Sequence, residues 1–176
     1  LIMGVSKLVS GGVSKANTSY TFINAQEITA ACRMQKSKNE IAIIQKAKDI
    51  TMEVQRAAAK ILRPGISVDE VVDFIHKAHI KAGISSGSYF CIVLFADDTQ
   101  YPHGVSVPQP LKENDAVIVD TGCRLEGYLS DITRSYAYGT PSEEYRTIWN
   151  LEQKVQFAAF EAANIDASCG SVDDAA

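Results

Sequence analysis

The stretch AVIVDTGCRLEGYLSDITRSY, Ala116–Tyr136, holds two apolar runs around a polar centre, with one acid in each run. AVIVDTG reads as a strand that ends with Asp120. YLSDITRSYAYG reads as the next strand, with Asp131 at its start, and the turn between them falls around Arg124–Gly127. The two acids stand eleven positions apart with the turn near the midpoint. An antiparallel pair folded about that midpoint sets them opposite each other, with Cβ atoms about 5 Å apart. Carboxylates so placed repel, and in a low-dielectric setting one takes up a proton unless a cation lies between them. Two divalent ions about 3.5–4 Å apart are a standard solution, and oxygen donors suit hard or borderline ions such as Mn. Spacing alone leaves a structural alternative open. Asp120 can cap its strand and begin a turn at Thr121-Gly122, and Asp131 can pair with Arg134 or Arg124.

Working outward, SYFCIVLF (Ser88–Phe95) is aromatic and β-branched enough to be another strand, joined to the first pair by the proline-punctuated VSVPQPLKEND. Two helices precede it. Ser37-Lys38-Asn39-Glu40 has the form of a capping box, and Ile41, Ile44, Ala47, Thr51, Val54, Ala58 and Ile61 follow at helical spacing until Arg63-Pro64-Gly65 stops the run. Ser67-Val68-Asp69-Glu70 is a second box, Val68, Val71, Ile75 and Ala78 line the helix after it, and Gly83 ends it. His76 and His79 on that helix read as a partly exposed face rather than a metal pair. Downstream, Thr140-Pro141-Ser142-Glu143 supplies an N-cap and a proline at the first helical position. Ile148, Leu151, Val155, Ala158, Phe160 and Ala162 form an apolar side. Ser37 lies 103 positions before Thr140 and Ser67 lies 104 before the Ser171 of GSVDDAA, which reads as a duplication of helix, helix, strands. The expectation is therefore a first repeat plus the start of a second, within a longer protein.

At 176 residues and 46% apolar content, the chain can build one domain with a real core, or one domain plus a fragment. A net charge of -4 and no basic stripe argue against a nucleic-acid partner. The four cysteines, Cys32, Cys91, Cys123 and Cys169, form no CxxC, which argues against a zinc knuckle; Cys91 and Cys123 fall in apolar strands, so buried free thiols in a reducing, cytoplasmic compartment are expected there. No apolar run reaches the roughly 18 residues of a membrane helix, and the start LIMGVSKLVSGG lacks the regions of a signal peptide. Residues 1–25 read as short strands, SYTFINA the best of them.

Pro102-His103-Gly104 followed by VIVDTGCRLEGYLSDITRSY resembles the pita-bread metallopeptidases, nearest to the Xaa-Pro group of prolidase and aminopeptidase P. MQKSKNEIAIIQKAKDITMEV looks like the start of their catalytic domain. The resemblance implies an α+β pita-bread fold. It assigns residues 33–176 to part of the catalytic domain and residues 1–32 to the tail of an N-terminal creatinase-like domain and its linker. Asp120 matches the chelating aspartate of a two-metal site (Mn first, Co or Zn as alternatives), Asp131 the bridging aspartate, and His103 a histidine that contacts substrate rather than metal. The implied function is a metallo-exopeptidase in which a metal-bridging hydroxide attacks the bond before proline, acting on proline-containing peptides and working as a homodimer. Thr133 shares a strand face with Asp131 and suits a supporting hydrogen bond, whereas Arg134 points the other way. The family's remaining His and two Glu ligands have no counterpart in this sequence, so the segment alone is expected to be inactive. FADDTQY before PHG also lacks the Gly and Asn often found there. The alternatives are a non-catalytic pita-bread peptide- or protein-binding module and methionine aminopeptidase. Creatinase is an outlier that uses the fold without metal.

Overall fold

The computed structural model describes residues 24–176. The strands read into residues 1–25 lie outside the described residues, except at Asn24 and Ala25, which belong to no element. The chain divides into two compact units, Leu1–Asn39 and Glu40–Ala176. Helix α1, Gln26–Met34, lies in the first unit, with Asn24 Oδ1 accepting from the Gln26 N–H at 2.9 Å and none of its residues buried.

The second unit is built on two amphipathic helices and a sheet. Helix α2, Lys38–Ile61, buries Ala47, Thr51, Val54, Gln55 and Ala58 along one stripe. Helix α3, Val68–Lys81, starts with the expected capping box. Ser67 accepts from the Glu70 N–H, and the Glu70 side chain reaches back to the Ser67 N–H. Strand β1, Ser88–Phe95, matches its expected limits, and β2, Ala116–Leu125, is the centre of the sheet. It pairs antiparallel with β1 on one side. On the other side it pairs with β3, Tyr128–Leu129, and then β4, Ile132–Ala137.

The turn between β2 and β3 is only Glu126-Gly127, both with positive φ (48° and 86°), the backbone of a two-residue I′ hairpin. The expected single strand from Tyr128 to Gly139 is thus broken at Ser130-Asp131. The hairpin also shifts the expected register by two residues. Asp120 pairs directly with Thr133, and Asp131 is its diagonal neighbour rather than its opposite.

Odd-numbered positions of β1 and β2 face the helices. Val93, Phe95, Val117 and Val119 form one core with Val54, Ala58, Val71 and Ile75. Each such aliphatic side chain contributes about 1.5–3 kcal/mol by leaving water. Asp120, at an even position, points to the other face of the sheet.

Helix α4, Glu143–Ala162, is capped by Ser142 and not by Thr140. Helix α5, Cys169–Ala175, is capped by Ser168, which places Ser171 inside the helix. The order of long helix then short helix recurs, but the two offsets expected between caps do not hold. The apolar side of α4 is unburied, with Leu151, Phe157 and Phe160 all exposed. Tyr145 fastens its start to β4 by donating from its hydroxyl to the Tyr136 carbonyl at 3.1 Å.

His79 differs from the sequence reading, whereas His76 is exposed as expected. His79 is 0% exposed. Burial, the largest cause, pulls its pKa below the usual 6.5, and nearby His76 adds to this while a hydrogen bond to the Ile75 carbonyl opposes it. The unfolded chain therefore takes up a proton near pH 6.5 that the folded chain refuses. Stability is full above that pH and falls as pH drops below it, by at most about 1.4 kcal/mol per pH unit. Urea titrations from pH 7.5 to 5.5 should show this slope in the wild type and lose it in His79→Gln. An unchanged slope in the variant would assign the pH dependence to other groups.

Candidate metal centre

The two acids come together because the chain between them has a local defect. Gly122, on β2 between Asp120 and the hairpin, lies under the crossing backbone. A Cβ built there would stand 1.9 Å from the Ser130 carbonyl oxygen. Only a glycine permits that approach. The Ser130 N–H donates to the Cys123 carbonyl at 3.0 Å, while the reciprocal donor, the Cys123 N–H, goes to Ser130 Oγ at 2.9 Å. The side-chain oxygen thus takes a backbone donor at the point where the ladder breaks, and Asp131 sits in the break beside Asp120.

The electrostatics of the pair are unbalanced. Asp131 is exposed, and its pKa is raised, first by the slight desolvation it meets and then by the negative charge of Asp120 and a hydrogen bond with that acid. Asp120 Oδ1 is buried with no hydrogen-bond partner. Neither acid forms an ion pair among the described residues. The arginines that could have neutralised Asp131 are engaged elsewhere. Arg134 donates to the Thr133 carbonyl at 2.7 Å and reaches Met52 Sδ at 3.1 Å, and Arg124 lies 5.0 Å from the centre of the Tyr89 ring. Thr133 is the direct cross-strand partner of Asp120 and is exposed.

A buried carboxylate oxygen with no donor, next to a second carboxylate, is an arrangement completed by a hard cation. The donor set present fits a divalent ion. Among the described residues no third His, Cys, Asp or Glu joins the pair to make a larger ligand group. His103 lies on the loop before β2 and is exposed. It lines a cavity of about 160 Å³ with Asp98, Cys91 and Ile92, and neither carboxylate borders that cavity.

Sequence reading missed Gln55. Its amide N–H groups donate to the Val119 carbonyl at 3.0 Å and the Ile132 carbonyl at 2.9 Å, one residue before Asp120 and one after Asp131. Two carbonyls fix the amide orientation and leave Gln55 Oε1 buried without a partner. That costs about 1–3 kcal/mol. Its position one helical turn beyond Thr51 on the buried stripe was the available signal.

Fold and site together define a helix-backed antiparallel sheet that presents a carboxylate pair suited to a divalent ion. Comparison with known proteins gives the family. Residues 42–176 match the model of metallopeptidase family M24, and the chain belongs to that family. It is 36% identical over 155 residues to the putative dipeptidase YkvY of Bacillus subtilis (strain 168), covering 86% of this chain and 42% of that protein. Among solved structures it resembles the X-Pro aminopeptidase of Thermotoga maritima MSB8, with a TM-score of 0.76 and 26% identity over 86% of this chain and 43% of that one. It also resembles the prolidase of Pyrococcus furiosus, with a TM-score of 0.74 and 29% identity over 78% of this chain and 41% of that one. The fold is the α+β pita-bread architecture of those enzymes, and the chain spans less than half the length of these relatives. Among the described residues no helix is long and apolar enough to cross a membrane.

Proposed function

We propose that the protein carrying this chain is a metal-dependent exopeptidase that cleaves the bond before proline in Xaa-Pro peptides, with Asp120 and Asp131 among its metal ligands. The observation that carries this reading is the buried, unpartnered Asp120 Oδ1 beside an Asp131 that lacks any cation. Membership of family M24 and the likeness to an X-Pro aminopeptidase and a prolidase support the reaction class. Two divalent ions, Mn²⁺ first among them, supply a lowered water pKa and a polarised carbonyl when bound. Asp120 holds its carboxylate from the middle of a strand paired on both sides, so its position is rigid. Asp131 supplies the second carboxylate from the break beside it. In this reading His103 contacts the substrate from its loop rather than the metal.

Calorimetric titration of the complete protein with Mn²⁺ tests the assignment. Asp120→Asn keeps the shape of the side chain and removes its charge, and it should weaken binding by more than about 10-fold, the lower end of the loss seen when even an outer-shell partner is removed. Unchanged affinity in Asp120→Asn would remove Asp120 from the ligand set. A wild type that binds no Mn²⁺ would favour a non-catalytic peptide-binding module.

A further inference from the structure

Behind the carboxylate pair, on the helix side of the sheet, lies a buried chain of polar groups. His79 Nδ1 is 3.2 Å from the Ile75 carbonyl and 3.0 Å from Ser88 Oγ. A carbonyl only accepts, so Nδ1 carries the proton and Nε2 is the acceptor. Nε2 is 3.3 Å from Thr51 Oγ1, which must therefore donate to it. Thr51 Oγ1 is 2.8 Å from Ser130 Oγ and has spent its own proton, so Ser130 donates. Ser130 Oγ in turn accepts the Cys123 N–H at 2.9 Å. The short contacts thus run in one direction from Cys123 through Ser130 and Thr51 to His79, while Cys123 Sγ lies at longer range, 3.4 Å from Ser130 Oγ and 3.6 Å from Thr51 Oγ1. Thr51, His79, Cys123 and Ser130 are all buried.

This chain passes through Ser130, the residue before Asp131. One turn along α2, Gln55 ends on the residue before Asp120 and the residue after Asp131. A single helix therefore grips both carboxylate-bearing segments through two side chains four positions apart. Apolar residues could fill the same volume, as Val54 and Ala58 do beside them. They would not select one position along the strands, because apolar packing is non-directional. Hydrogen bonds to particular carbonyls and to one hydroxyl do select it.

We infer that Thr51 and Gln55, with His79 behind Thr51, are positioning residues that set the separation of Asp120 and Asp131 for metal binding. The inference rests on the proposed metal-ligand role of those two acids. Thr51→Val removes the hydroxyl at nearly constant volume, and Thr51→Ser restores it. Mn²⁺ affinity of the complete protein, by calorimetry, and the EPR spectrum of the Mn²⁺-loaded protein report the site without reference to turnover. Thr51→Val should weaken Mn²⁺ binding about 10-fold and alter the spectrum, in line with the loss produced by outer-shell changes. Thr51→Ser should return both to near wild type. Val54→Ala, a core truncation on the same helix, should lower the melting temperature while leaving affinity and spectrum unchanged.

Wild-type affinity in Thr51→Val, alongside lost affinity in Asp120→Asn, would overturn the positioning role and leave the ligand reading standing. Equal loss of affinity in Thr51→Val and Val54→Ala would also overturn it, because general loosening would then explain both. If Thr51→Val does not fold, Gln55→Leu makes the same test on the other limb of the grip. Unchanged affinity in Asp120→Asn would overturn the ligand reading, and the inference with it.

Discussion

Asp131→Asn in the complete protein should abolish cleavage of an Xaa-Pro substrate while leaving the metal-free fold at least as stable as wild type. Activity and stability part ways for one reason. In the metal-free protein the Asp131 carboxylate is a liability, and slight desolvation together with the neighbouring Asp120 raises its pKa. The amide has the same shape and removes that repulsion. In the metal-loaded protein the same charge becomes a ligand, and a neutral amide oxygen is a poorer donor for a hard ion. Loss of an outer-shell partner costs about 10–100-fold in affinity or activity, so loss of a ligand should exceed about 100-fold in kcat/KM. The checks are a steady-state assay on a proline-containing dipeptide and a thermal melt in chelator. Wild-type turnover would end the assignment of Asp131. A much lower melting temperature in chelator would show that its charge is satisfied in the fold and not by metal.

Gly122→Ala should be the most damaging single methyl added to this chain. The new Cβ would meet the Ser130 carbonyl oxygen at 1.9 Å, and the Phe90 ring lies 3.1 Å away on another side. The oxygen belongs to backbone, so no rotamer change relieves the contact. Relief requires the Ser130-Asp131 segment to lift off β2. That breaks the pairing of Ser130 with Cys123 and carries Asp131 away from Asp120. Overpacking of this kind costs about 3 kcal/mol, which for a domain of this size is a fall of roughly 10 °C in melting temperature. Mn²⁺ affinity should fall with it. A variant that melts within a degree or two of wild type and binds Mn²⁺ normally would mean that the close approach does not hold the acids together.

These two variants also separate what was legible in the sequence from what was not. The two helices before the sheet were legible because their signals are local: apolar residues three and four apart, a Ser–Glu box at Ser67, and Pro64-Gly65 after the last turn. Strand β1 was legible because eight residues are rich in aromatic and β-branched types. The motif around Asp120 and Asp131 carried its family resemblance residue by residue. The register was not legible. A turn placed around Arg124–Gly127 is correct to within a residue or two, yet that margin decides whether two side chains are opposite or diagonal. Nor could spacing show whether Arg124 and Arg134 would neutralise Asp131, since both engage groups far away in sequence, Tyr89 and Met52.

By itself the sequence determined the two helices and the strands β1 and β2 around the site, their order and the pair of acids in one motif, because each depends on neighbours a few positions away; helix α1 and the break between β3 and β4 were not read from it. Only the tertiary structure decided that Thr51, read as one member of an apolar stripe, is a hydrogen-bonding group, that Gln55 spans two strands, and that His79 is interior. Their partners lie 28 to 79 positions away. A hydrogen bond over such a distance leaves no period in the chain, since direction and donor supply are fixed only when helix and sheet are already in contact.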